Sequence, residues 1–160
     1  MIQLLGNTIM QRGDGKQIAL VGDRYTFLLT GKETNGEFAL LDFFVPPGGG
    51  PPPHLHTRED EVFYVLEGEL TVNVNGTPVV LKAGETAHAV KNVRHFFRNE
   101  SSAPVRFLCL VVPAGLEEFF AEVGDPLNPD GSIPAPGPDQ IGRIIEAAPR
   151  YGVQIFPPGS

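Results

Sequence analysis

Cysteine is nearly absent: Cys109 stands alone in 160 residues, so the chain can form neither an internal disulfide nor a thiolate zinc cluster. Its surroundings, Arg106-Phe-Leu-Cys-Leu-Val-Val112, are apolar, and a buried thiol acting as a small hydrophobe is expected there rather than a nucleophile. Basic residues are also scarce. Twelve Lys+Arg against nineteen Asp+Glu leave a net charge of −7 and a pI near 5.0, which argues against nucleic acid or an acidic membrane surface as partner. No stretch approaches the roughly 18 apolar residues of a membrane span, and Met1 to Asn7 has neither the basic nor the apolar segment of a secretory leader. A cytoplasmic protein is expected, and its length suits one domain rather than two.

Glycine and proline are abundant, at 19 and 16 residues against an average combined usage of about 12%, so turns must be frequent and long helices few. From Tyr25 to Val112 short β-branched and aromatic runs are broken by Gly, Pro, Asn and Asp about every ten residues, the rhythm of an all-β sandwich or barrel. Strands are predicted at Tyr25–Thr30, Glu37–Val45, Glu61–Leu66, Leu70–Asn75, Thr77–Leu81, Thr86–Val90, His95–Asn99 and Val105–Val112, with hairpin turns at Glu67-Gly68-Glu69 and Asn75-Gly76. Beyond Val112, Leu116, Phe119, Phe120 and Val123 fall at helical spacing and end on Gly124. Residues 125–138 read as an extended connector, and a second helix is predicted from Asp139 to Ala148 with Ile141, Ile144, Ile145 and Ala148 as its apolar face. The chain thus divides into an N-terminal extension, 1–24, that pairs with the barrel or a partner subunit, a barrel at 25–113, and a C-terminal segment of helices and connector at 114–160.

The chemistry concentrates in Pro46-Pro-Gly-Gly-Gly-Pro-Pro-Pro-His54-Leu-His56-Thr-Arg-Glu-Asp-Glu61. In extended chain His54 and His56 share a face, and Glu61 opens the next apolar strand, so one metal could be gripped by all three. His95 starts a later strand that antiparallel pairing can bring opposite the first pair. Nitrogen and oxygen donors without thiolate suit one divalent transition metal: manganese, iron, cobalt, nickel, copper or zinc. Without a cation, pointing these groups into one barrel would cost several kcal/mol per charge. His88 reads as a surface or satisfied histidine, Arg58, Glu59 and Asp60 as a solvated turn, and Asn99 as a brace for the backbone near His95. Phe38, Phe43, Phe63, Tyr64, Phe96 and Phe97 read as core, with some lining a cavity. Alternation puts Phe63 and Val65 on the face of Glu61 and Tyr64 on the opposite one.

These segments resemble the paired motifs of the cupins. Gly48, His54, His56, Glu61 and Gly68 match the first, Gly-x5-His-x-His-x(3,4)-Glu-x6-Gly, in full. Gly84, His95 and Asn99 match the second, Gly-x5-Pro-x-Gly-x2-His-x3-Asn, which this chain leaves at Val90 and Asn92. Asn tolerates the left-handed conformation well, so the departure touches the turn before His95 and not the ligand. The resemblance implies an all-β double-stranded β-helix, the cupin jelly-roll barrel, with short C-terminal helices and the metal held by His54, His56, Glu61 and His95. The flanks are similar to single-domain bacterial cupins of quercetin dioxygenase type. That likeness implies a metal-dependent dioxygenase acting on a small aromatic or enolisable molecule, with Glu61 as ligand and catalytic base. A non-catalytic metal-bearing binding protein and a non-redox isomerase or lyase are the alternatives. A homodimer is expected, with a small molecule as ligand or substrate and neither nucleic acid nor membrane as partner.

Overall fold

The computed structural model describes residues 1–157, so residues 158–160 of the C-terminal segment lie outside the described residues. Strands run in chain order as β1 Ile2–Leu4, β2 Asn7–Ile9, β3 Gln17–Leu20, β4 Asp23–Leu29, β5 Ala39–Val45, β6 His54–His56, β7 Asp60–Glu67, β8 Glu69–Val74, β9 Thr77–Lys82, β10 Thr86–Ala89, β11 His95–Arg98 and β12 Val105–Val112. Helices α1 Leu116–Val123 and α2 Pro138–Ala147, a 3₁₀ turn Ala148–Tyr151 and β13 Val153–Ile155 follow. The sheet β10-β7-β12-β5-β4-β3 faces the sheet β13-β6-β11-β8-β9, with β1 and β2 as a separate hairpin. This is the double-stranded β-helix that the motifs imply. Among the described residues no helix is long and apolar enough to cross a membrane.

Period-two burial explains the barrel. In β5 Ala39, Leu41, Phe43 and Val45 point inward, and in β12 Val105, Phe107, Cys109 and Val111 do the same. Phe43 anchors the interior: Tyr25 stacks on it at 3.8 Å, and Phe107 meets it edge-on at 5.1 Å. Asn75 and Gly76 both take positive φ in a two-residue hairpin between β8 and β9, as predicted. Gly68 turns β7 into β8 at φ +82°, where a Cβ would stand 2.8 Å from the Pro104 carbonyl oxygen.

Five short strands escaped the sequence pattern. β1, β2, β3 and β13 are three or four residues long and carry little periodicity, and β6 is three residues at the end of a proline run. The helix predicted at 139–148 is observed at 138–147, but its buried face is Gln140, Ile144 and Ala147, with Ala148 buried just beyond it, while Ile141 and Ile145 are 42% and 63% exposed. The face rotates because a polar side chain does the docking. Gln140 donates to the Ala19 carbonyl at 3.0 Å and the Asp125 carboxylate at 2.7 Å, and accepts from the Val21 amide at 3.0 Å. Ala19 and Asp125 also form an isolated bridge, so one end of the 125–138 connector is pinned to the barrel.

Asp23 opens β4 fully buried, with no hydrogen-bond partner for either carboxylate oxygen among the described residues. Burial raises its pKa to about 8, against the partial opposition of the Arg98 charge. A folded-state pKa above the unfolded one means that the native chain holds this proton more tightly. The stabilisation is full below the ordinary carboxylate range and is lost as pH rises toward about 8. Urea unfolding is expected to show wild-type stability falling between pH 5 and 8 relative to Asp23→Asn, at up to roughly 1.4 kcal/mol per pH unit. Parallel pH profiles for the two proteins would contradict the assignment.

Candidate metal centre

Both sheets contribute to one polar cluster inside the barrel. β6 supplies His54 and His56, and β11 pairs with it so that His95 stands across from His54. β7, in the facing sheet, supplies Glu61. One candidate ligand atom from each of the four residues lies within 4.8 Å of all the others. Residues 54, 56, 61 and 95 therefore converge as their spacing suggested, across 41 positions of chain (95 − 54 = 41). His56, Glu61 and His95 are buried and His54 is half-buried.

The hydrogen bonds define which atoms face the centre. His54 Nδ1 lies 2.8 Å from the Pro52 carbonyl oxygen and His95 Nδ1 lies 3.0 Å from that of Val93. A carbonyl only accepts, so both Nδ1 atoms carry a proton, which leaves Nε2 of each ring as the atom that can ligate. His95 Nε2 then faces Glu61 Oε2 at 2.9 Å. His56 Nε2 stands 3.0 Å from the same oxygen but off the line of a hydrogen bond, and neither ring nitrogen of this buried histidine has a hydrogen-bond partner among the described residues. A carboxylate oxygen and two ring nitrogens at that range require positive charge between them, carried by a proton or a metal ion. Two donors each about 2.1 Å from one ion at right angles would lie about 3.0 Å apart, so the residues fit a metal.

Electrostatics agree. Burial resists ionisation of Glu61, but the nearby His56 and the charge and hydrogen bond of His95 hold its carboxyl well below the usual range. Burial also resists protonation of His95, yet the hydrogen bond and charge of Glu61 prevail and raise its pKa. His54, pushed down to about 3 first by burial and then by the neighbouring His56 and His95, stays neutral. Glu61 and His54 are thus in the forms that bind metal, whereas an ion would replace the proton that Glu61 favours on His95.

The motif departures have a plain outcome. Asn92 takes φ +64° in place of the family's glycine, and its amide donates to the His56 carbonyl at 2.7 Å, tying the turn before His95 to the ligand strand. Asn99 braces backbone as expected, donating to the Val45 and Ala103 carbonyls at 2.9 and 2.8 Å. His88 is exposed and pairs with Asp60 at 3.1 Å. Glu59 corrects the solvated-turn expectation: it is 3% exposed, its Oε2 has no hydrogen-bond partner among the described residues, and burial raises its pKa. Tyr64 and Phe96 are not core; they point away from it, as strand alternation requires.

An apolar chamber of about 60 Å³ adjoins the cluster, lined by His54, His56 and Glu61 together with Leu20, Tyr25, Phe43, Phe97, Phe119, Phe120, Ile144, Val153 and Ile155. Phe63 and Val65 are buried on the face of Glu61, as alternation predicts. The contributions of α1, α2 and β13 were invisible to the motifs, because no local spacing says which wall a C-terminal segment will cover.

Residues 41–111 match the family model described as cupin domain. The chain is 30% identical over 151 residues to quercetin 2,3-dioxygenase of Bacillus subtilis, covering 94% of this chain and 44% of that protein. The chain thus spans less than half the length of this relative. The polyketide cyclase RemF of Streptomyces resistomycificus superposes with a TM-score of 0.57 at 26% identity, over 66% of this chain and 78% of that one. A predicted oxalate decarboxylase of Thermotoga maritima gives a TM-score of 0.62 at 20% identity, over 66% and 99%, which shows the shared fold. With its four converging side chains inside a double-stranded β-helix, the segment 41–111 is a cupin domain.

Proposed function

We propose that the protein is a metal-dependent oxidoreductase of dioxygenase type acting on a small enolisable or aromatic molecule, with one divalent transition ion held by His54, His56, Glu61 and His95. The observation that carries this is the ionised Glu61 oxygen 2.9 Å from His95 Nε2 and 3.0 Å from His56 Nε2 inside an apolar wall. Similarity to a quercetin dioxygenase supports the redox class. When bound, the ion supplies Lewis acidity toward a substrate oxygen. Glu61, whose low proton affinity makes it a ligand first, serves as base only toward a substrate hydroxyl that is itself acidic, such as an enol. Phe97, Phe119 and Phe120 exclude water, and Tyr25, stacked on Phe43, completes the wall.

Chamber size favours the smaller substrates. About 60 Å³ is well below the roughly 150 Å³ that takes up benzene in an engineered protein cavity. An aromatic ring therefore needs an outward shift of Ile144, Val153 and Ile155, which also line the groove on the outer side of this wall. Cytoplasmic location belongs to the same proposal, supported by a cysteine that is buried and free. So does a homodimer, supported by the β1–β2 hairpin, where Ile2, Leu4 and Ile9 are 42%, 57% and 44% exposed.

Metal should stabilise the protein by about 2.7 kcal/mol at a free concentration one hundred times Kd. Thermal shifts with manganese, iron, cobalt, nickel, copper and zinc are expected to be present in the wild type and lost in His95→Ala. No shift with any of the six would remove the metal. Adding enolisable acids or dihydroxylated aromatics to the metal-loaded protein is expected to consume dioxygen. Turnover without dioxygen would select isomerase or lyase chemistry, and stoichiometric binding without product would select a binding protein. Light scattering is expected to give twice the chain mass, reverting to one chain in Leu4→Glu/Ile9→Glu; a monomeric wild type would refute the pairing.

A further inference from the structure

Cys109 is fully buried on β12, between Leu41 of β5 and Phe63 of β7 in register. The inward positions beside it are Phe107 and Val111, so the wall is apolar apart from this thiol. Its Sγ lies 3.4 Å from Oε1 of Glu61, the oxygen that does not face the imidazoles. A carboxylate oxygen is a pure acceptor and the thiol carries a weak donor, so S–H donates to Oε1. The two oxygens of Glu61 therefore have separate partners on opposite sides: a thiol behind, and two ring nitrogens in front. Without that donor Oε1 would be a buried charged acceptor among phenyl and isopropyl groups, which favours rotation of the carboxylate toward whatever positive charge is near.

We infer that Cys109 is a positioning residue that fixes Glu61 as a one-oxygen ligand, tethering Oε1 so that Oε2 alone meets the ion. The inference rests on the metal-centre reading for its consequence, and on the thiol–carboxylate contact for its cause. The tether keeps the second oxygen from occupying a position around the ion that substrate would otherwise take. It also explains a donor at 109 where valine would pack as well in an apolar strand.

The contact is testable without metal, because the chain holds one cysteine and so gives one S–H infrared band. In the metal-free protein that band is expected at lower frequency than in Glu61→Gln, where a neutral amide oxygen replaces the carboxylate as acceptor. An unmoved band would overturn the contact. The consequence is read in cobalt-loaded protein, from Kd by competition with a chromophoric chelator and from the visible ligand-field bands. Cys109→Ala and Cys109→Val are expected to bind about 10- to 100-fold more weakly with altered band intensity, and Cys109→Ser, which keeps a donor, to recover much of both. Cys109→Val fills the space if the alanine variant does not fold, and urea unfolding of each apoprotein separates loss of packing from loss of ligand geometry. Unchanged affinity and spectrum in the alanine and valine variants would overturn the inference while leaving the metal centre standing. Failure of the wild type to take up cobalt would instead overturn the metal centre, and the consequence with it.

Discussion

A carboxylate confined among imidazoles in an apolar barrel is the constraint on which the rest depends. Glu61 is 4% exposed and its inner face is otherwise phenylalanine and valine, so its charge has no water to answer it and must be met by groups the fold supplies. His95 and His56 come from strands of the opposite sheet to meet it. Once they do, the two sheets are held at a fixed separation and register by something more directional than hydrophobic contact.

Much of the remaining architecture serves that convergence. The proline and glycine run before His54 delivers β6 into the sheet between β11 on one side and β13 on the other. Asn99 and Asn92 tie the loops flanking β11 to backbone carbonyls, so His95 is fixed at both ends of its short strand. The carbonyls of Pro52 and Val93 choose the ring tautomers, and the Cys109 thiol takes the outer carboxylate oxygen. Each is a weak interaction alone. Together they leave the inward nitrogen and oxygen atoms few orientations, which is what a preorganised centre requires.

The C-terminal segment does a different task. α1 covers one end of the barrel with Leu116, Phe119, Phe120 and Val123, and α2 is drawn in by Gln140 rather than by its isoleucines. This leaves Ile141 and Ile145 outside and puts Ile144 against the chamber. This segment supplies one wall of the chamber, through Phe119, Phe120, Ile144, Val153 and Ile155. The shape of the chamber is therefore a property of the C-terminal segment as well as of the ligand motif.

The sequence by itself determined the strand rhythm from β4 to β12 apart from β6, the two hairpin turns, and the identity of the four converging residues. Those depend on period-two burial, on the φ tolerance of Asn and Gly, and on motif spacing, all of which are local. The strands β1, β2, β3, β6 and β13, of three or four residues, were not legible, since so short a stretch carries at most two periods and theirs is not an alternating one. Glu59 looked solvated between two charged neighbours, and only the folded turn buries it. Which oxygen of Glu61 faces which partner, the rotated face of α2 and the covering of the chamber were decided by tertiary structure alone. Each is set by register between strands distant in sequence, and register is an energetic choice of the whole barrel rather than of any one segment.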